Sequence, residues 1–123
     1  MYTITVQTTF KALHQLPLPD GTREPLHEHD WVVRTAVSTD GLDKMGLAID
    51  FNKLKSILDS ILAPLNGRKL EEAAAFANTP ASAELVAKYI YEQVKPWLAT
   101  GKKLEYVEVM EAQDCWAKYS CPR

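Results

Sequence analysis

Two long stretches of period-two alternation frame the N-terminal third of the chain, and each carries histidine at one end. Tyr2, Ile4, Val6, Thr8 and Phe10 alternate with Thr3, Thr5, Gln7, Thr9 and Lys11, the pattern of a half-buried strand. Carried through Ala12, the same parity puts His14 on the Tyr2/Ile4/Val6 face. Leu16-Pro17-Leu18-Pro19-Asp20-Gly21 marks a loop. A second strand is expected from about Leu26 to Ser38, stopping at Thr39-Asp40-Gly41. Residues two apart project from one face of a strand, so His27 and His29 point the same way as Trp31, Val33, Thr35 and Val37, while Glu28 points to the other side. Read as antiparallel neighbours, the two strands bring His14 beside His27 and His29.

Two imidazoles side by side and a third from a neighbouring strand are the ligand set of a catalytic zinc, with the fourth position open to water or substrate. The chain has only three histidines, and this assignment uses all of them. On spacing alone, two surface histidines on a strand and an unrelated third remain the competing explanation.

At 123 residues the chain is expected to form one domain, residues 1–123, of a size that often oligomerises. Its 14 basic and 16 acidic residues nearly cancel, to −2, which gives no electrostatic reason to expect nucleic acid or an anionic membrane as partner. No segment approaches transmembrane length, and Met1-Tyr2-Thr3-Ile4-Thr5 lacks the basic start and apolar run of a signal peptide, so a cytoplasmic protein is expected. Cys115 and Cys121 are too few for a disulfide framework and are expected to be reduced.

After Gly46 the period changes. Phe51, Leu54, Leu58, Ile61 and Leu65, flanked by Ile57 and Leu62, predict an amphipathic helix over about Asp50 to Leu65, ended by Asn66-Gly67. Leu70 to Ala77 is a candidate short helical piece. Thr79-Pro80 offers an N-cap with proline at the first helical position. From Ser82 to Leu98, apolar Leu85, Val86, Tyr89, Ile90, Val94, Trp97 and Leu98 cover one face. Leu104 to Glu111 alternates again, and Ala112-Gln113-Asp114 reads as a hairpin turn into Cys115–Tyr119. The order β-β-α-α-β-β predicts an α+β fold, a four-stranded antiparallel sheet with two helices on one face.

Taken in order, Phe10-Lys11-Ala12-Leu13-His14, Leu26-His27-Glu28-His29, Asp50-Phe51-x-x-Leu54-Lys55, Ser82-Ala83-Glu84 and Val107-Glu108-Val109-Met110-Glu111 resemble the 6-pyruvoyltetrahydropterin synthase / 6-carboxytetrahydropterin synthase family over nearly the whole chain. The resemblance implies the tunnelling fold (T-fold), a zinc ion held by His14, His27 and His29, and a pterin substrate of the kind that serves queuosine or folate biosynthesis. It implies a homohexamer of two stacked trimers with sites between subunits. It also implies a ring-anchoring role for Glu111 and, more loosely, substrate-binding roles for Ser82 and Glu84. A pterin presents a ring N–H beside an exocyclic amine, two donors that one carboxylate accepts together. Glu111 shares parity with Val107 and Val109, so an unpaired carboxylate there would be costly without such a ligand. Its plainer alternative is a surface residue at a strand end. Glu84 is also explained by the preference for acids in a first helical turn.

The chain departs from the family's pattern in three places. Arg23 stands where the usual cysteine is expected, Asn66 and Gly67 where an Asp-His pair is expected, and Glu28 where the His-x-His pair usually has glycine. Arg23-Glu24-Pro25-Leu26-His27 resembles a branch in which a glutamate three residues before the histidine replaces the cysteine. That branch cleaves the side chain of dihydroneopterin to 6-hydroxymethyl-dihydropterin. A carboxylate beside zinc serves as a general base when burial raises its pKa, which makes Glu24 the candidate catalytic residue. An exposed loop acid is the alternative for Glu24. A zinc-dependent pterin lyase is thus the leading expectation. A paralogue that binds a pterin-like heterocycle without the family activity is the other.

Overall fold

A computed structural model describes residues 1–122. Two thirteen-residue strands, β1 (Tyr2–His14) and β2 (His27–Thr39), pair antiparallel without interruption from Tyr2↔Thr39 to His14↔His27. Helix α1 (Phe51–Leu62) leads to a two-residue strand β3 (Arg68–Lys69), and helix α2 (Ala83–Val94) to the hairpin β4 (Lys103–Ala112) and β5 (Cys115–Tyr119). The sheet order is β3-β1-β2-β4-β5. The expected α+β order is present, with one short strand more than the four expected. β3 runs parallel to β1 at Ala12↔Arg68 and Leu13↔Lys69, which makes the sheet mixed. Two residues carry no readable alternation, so nothing in the pattern announces β3.

Both helices bury one face on the sheet. Leu54, Leu58 and Leu62 of α1 and Val86, Ala87, Ile90 and Val94 of α2 meet Val6, Phe10, Trp31, Val33, Val37, Val107 and Val109 in one core. The Asp50 side chain caps α1 by accepting from the Asn52 N–H at 2.8 Å. The cap of α2 is Ser82 rather than Thr79: its hydroxyl accepts from the Leu85 N–H at 3.2 Å, and Thr79-Pro80 stay outside the helix. Helix α2 gives way to a 3₁₀ turn at Lys95–Trp97, because Pro96 has no N–H to continue the α-helical ladder. Leu70–Glu72 and Ala74–Phe76 are 3₁₀ turns where a short helical piece was expected. The β4–β5 turn needs a left-handed residue, and Asp114 takes it at φ 62. Among the described residues no helix is long and apolar enough to cross a membrane. Cys115 and Cys121 are both free thiols on the surface.

Candidate metal centre and the adjoining cleft

The β1–β2 register decides where the imidazoles go. His14 lies opposite His27, and Ala12 lies opposite His29. Ring centroids are 4.4 Å apart for His14–His27, 4.5 Å for His27–His29 and 5.7 Å for His14–His29. His14 is fully buried, edge-on to the buried Trp31 at 5.3 Å, whereas His27 and His29 are each about one third open at the side chain. Glu28 is exposed on the other face, as the strand parity requires.

Backbone carbonyls hold two of the rings from behind. His27 Nδ1 is 2.8 Å from the Pro25 carbonyl and His14 Nδ1 is 3.4 Å from that of Ala81. A ring that donates from Nδ1 presents its Nε2 lone pair, and this is the tautomer a metal ligand needs. For His29, burial and then the nearby His27 hold the pKa below the usual imidazole value, against the opposing pull of Glu111 and Glu24. That favours the neutral ring, which is the ligating form.

Two carboxylates close on the same point. Glu111, near the end of β4, touches His14 Nε2 through Oε1, and that oxygen is 3.7 Å from His27 Nε2 and 3.8 Å from His29 Nε2. Glu24 Oε1 stands 4.0 Å from His14 Nε2 and 3.9 Å from His27 Nε2. Its loop is pinned to Leu16 in both directions: the Glu24 N–H donates to the Leu16 carbonyl at 3.0 Å, and Oε1 accepts the Leu16 N–H at 3.1 Å.

The ligand atoms of His14, His27, His29 and Glu111 lie within 4.8 Å of one another. Donors on a tetrahedral ion at 2.0–2.1 Å stand about 3.4 Å apart, so a small contraction suffices. His14 Nε2 is buried and makes no hydrogen bond, with the Glu111 carboxylate directly against it. A buried, unsatisfied nitrogen beside two acids is costly, and a cation at the centre removes that cost. The donor set fits a metal ion.

A cleft of ≈ 390 Å³ adjoins the centre, lined by Ala83, Glu84, Glu111, Cys115 and Trp116 among others. Glu111 therefore stands between the imidazoles and this cleft, with Glu84 on its wall in the first turn of α2. Ser82 is not among the lining residues, and its hydroxyl is taken up by the helix cap. Asn66 and Gly67 are engaged with β1: Asn66 Oδ1 accepts the Lys11 N–H at 2.9 Å and the Gly67 N–H donates to the Lys11 carbonyl at 2.6 Å, with Gly67 at φ +75.

The carbonyls of Pro25 and Ala81 and the backbone of Leu16 orient the centre, yet sequence reasoning does not find them, because any residue type supplies a carbonyl. Glu71 was missed too. It accepts the Gln15 N–H at 2.7 Å, next to His14, and only its place among acids after Leu70 hinted at it.

Comparison with known proteins agrees over the whole length. The family model described as 6-pyruvoyl tetrahydropterin synthase matches residues 3–122. The 6-carboxy-5,6,7,8-tetrahydropterin synthase of Synechocystis sp. is 31% identical over 128 residues, covering 100% of this chain and 96% of the relative. The dihydroneopterin monophosphate aldolase of Pyrococcus furiosus is 27% identical over 111 residues, 90% of each. Among solved structures, the Caenorhabditis elegans 6-pyruvoyl tetrahydropterin synthase superposes with a TM-score of 0.82 at 20% identity, over 98% of this chain and 96% of that one.

Proposed function

The chain belongs to the 6-pyruvoyl tetrahydropterin synthase family, and we propose that it is a zinc-dependent lyase that cleaves the side chain of a dihydroneopterin and releases 6-hydroxymethyl-dihydropterin. The observation that carries this reading is the position of Glu24: a carboxylate 3.9–4.0 Å from two ligand nitrogens, on a loop locked to Leu16. The aldolase relative from Pyrococcus supports the same reaction class.

His14, His27 and His29 would hold the zinc, which when bound would supply Lewis acidity toward the side-chain oxygens. Glu24 takes the proton of the second side-chain hydroxyl. The bond between the first and second side-chain carbons breaks, its electron pair passes into the ring system, and a two-carbon aldehyde leaves. A proton returned to the first carbon completes the 6-hydroxymethyl product. Glu111, which lines the cleft, accepts the ring N–H and the exocyclic amine together. Glu84 lines the same cleft, and Ser82 sets the start of the helix that carries it. The assembly is a hexamer of two trimers with sites at subunit interfaces, working in the cytoplasm on a small pterin, without nucleic acid or membrane.

One observation favours a second reading, a pterin-binding protein without turnover: Asn66 and Gly67 serve the backbone of β1 in the place of a catalytic Asp-His pair. Incubating the zinc-loaded protein with dihydroneopterin and its triphosphate, with product analysis by mass spectrometry, separates the two. A 6-hydroxymethyl product supports the lyase, binding without product supports the second reading, and no binding removes both.

A further inference from the structure

The Glu111 carboxylate is placed where two partners compete for it. Its Oε1 touches His14 Nε2 and lies 3.7 Å from His27 Nε2 and 3.8 Å from His29 Nε2, one oxygen set against all three ligand nitrogens. Glu24 comes within 4.0 Å of two of them only, and its Oε1 is held by the Leu16 N–H. Glu111 is tied down less firmly. Among the described residues its side chain pairs with the three imidazoles and with no lysine or arginine. The β4–β5 register breaks between Met110 and Ala112: Met110 faces Trp116, Ala112 faces Cys115, and Glu111 is the extra residue between them. A bulge residue stands outside the ladder, so its side chain can be re-aimed without unpairing the strands. The Glu111 side chain is 24% exposed, on the wall of the cleft that it shares with Glu84 and Trp116.

We propose that Glu111 is an exchangeable fourth ligand: its carboxylate closes the metal centre while the cleft is empty and leaves when a pterin ring enters. The inference rests on the lyase reading and adds how that site is kept shut between turnovers. One carboxylate cannot serve both partners. Accepting a ring N–H and the adjacent amine together takes both oxygens, so Oε1 has to come off the centre. The position it vacates is then open to the side-chain oxygens that the same ring brings with it. Withdrawal exchanges one oxygen donor for another at the centre and gains two hydrogen bonds in the cleft. An empty cleft offers the carboxylate no such pair of donors, and the cation is then its best partner. Ring recognition and the opening of the centre become one event, and a solute without those two donors does not trigger it.

Cobalt(II) in place of zinc gives the centre a visible absorption band that responds to its fourth ligand, and azide reports whether that position is free. The second probe is pterin itself, the ring without a side chain, which draws Glu111 away and leaves the position unfilled. Wild type alone should bind azide at least about 10-fold more weakly than Glu111→Ala, since a site open in a tenth of the molecules shows a tenth of its affinity. Saturating pterin should remove that difference by raising the affinity of wild type. Glu111→Gln, which keeps the shape of the side chain without its charge, should also bind azide more tightly than wild type. Equal azide affinity for wild type and both variants, or a wild-type affinity that pterin does not raise, overturns the proposal and leaves the lyase reading to its own product assay. Loss of cobalt from Glu111→Ala with circular dichroism unchanged makes the carboxylate a fixed ligand and overturns the exchange as well. Failure of wild type to take up cobalt or to bind pterin overturns both the proposal and the reading beneath it.

Discussion

His14 and His27 are register partners: the last residue of β1 lies opposite the first residue of β2, with ring centroids 4.4 Å apart. That contact is the last of thirteen consecutive pairs, so the placement of the metal ligands is set by the whole length of the hairpin. A slip of one residue would move His27 and His29 to the opposite face and bring Glu28 to theirs. Backbone carbonyls behind His14 and His27 orient the rings before any ion arrives.

Replacing one of these rings should therefore cost metal and not fold. The expected wild-type content is about one zinc per subunit, and His27→Ala should bring it below a tenth of that under equal free zinc, read by plasma mass spectrometry after desalting. His27 is partly open and lies outside the buried core, so circular dichroism should be unchanged. Full zinc retention in the variant would contradict the centre described.

Glu24→Gln keeps the oxygen that accepts the Leu16 N–H and removes the base. Turnover of dihydroneopterin should fall on the order of 10²–10⁴-fold, the usual contribution of a general base. Zinc content and pterin affinity should stay near wild type, since neither uses that carboxylate. An unchanged rate would move the proton-transfer role to another group.

For Glu111 the measurement must separate two jobs, because its oxygen touches the ligand nitrogens and its side chain also lines the cleft. As the ring anchor, Glu111→Ala should weaken pterin binding by about 2 kcal/mol or more, the loss of two charge-assisted hydrogen bonds, with zinc retained. Loss of zinc in parallel would instead make it the fourth ligand.

The centre was legible in the sequence to the extent that it depends on parity. The shared face of His27 and His29 follows from period-two alternation, and reading the two strands as antiparallel neighbours adds His14; the three rings do come together, with Glu111 beside them. What escaped depends on the backbone and on short-range competition. The carbonyls of Pro25 and Ala81 leave no mark in side-chain identity. The α2 cap moved from Thr79 to Ser82 because the hydroxyl of Ser82, and not that of Thr79, reaches a free N–H of the first turn. β3 escaped because its pairing is set by where Gly67 redirects the chain against Lys11.

Tyr91 gives a pH test of packing. It is buried, its hydroxyl donates to the Leu104 carbonyl at 3.2 Å, and burial foremost pushes its pKa above the ordinary phenol value, with Cys121 the next contributor. A folded pKa above the unfolded one means stability that is complete below pH ~10 and is lost as pH rises through the folded value. Urea denaturation midpoints should therefore fall more steeply above pH 10 in wild type than in Tyr91→Phe. At neutral pH the variant should be about 1 kcal/mol less stable, one buried hydrogen bond.

The free strand edges lead to the last prediction. Among the described residues, β1 is covered by β3 only at Ala12 and Leu13, and β5 has no strand on its outer side. Long unpaired edges in a chain of this size invite pairing with another copy, and the proposed assembly, two stacked trimers in each of which three sheets close into a barrel, removes those edges. The protein should therefore run as a hexamer in light scattering at micromolar concentration. Neighbouring residues of an edge strand send their N–H groups in opposite directions, so Ala117→Pro and Lys118→Pro form a matched pair. One removes a donor facing β4 and should destabilise the hairpin; the other removes an outward donor and should dissociate the assembly while the chain stays folded. If wild type is a monomer, or if neither proline changes its mass, the subunits do not join through β5.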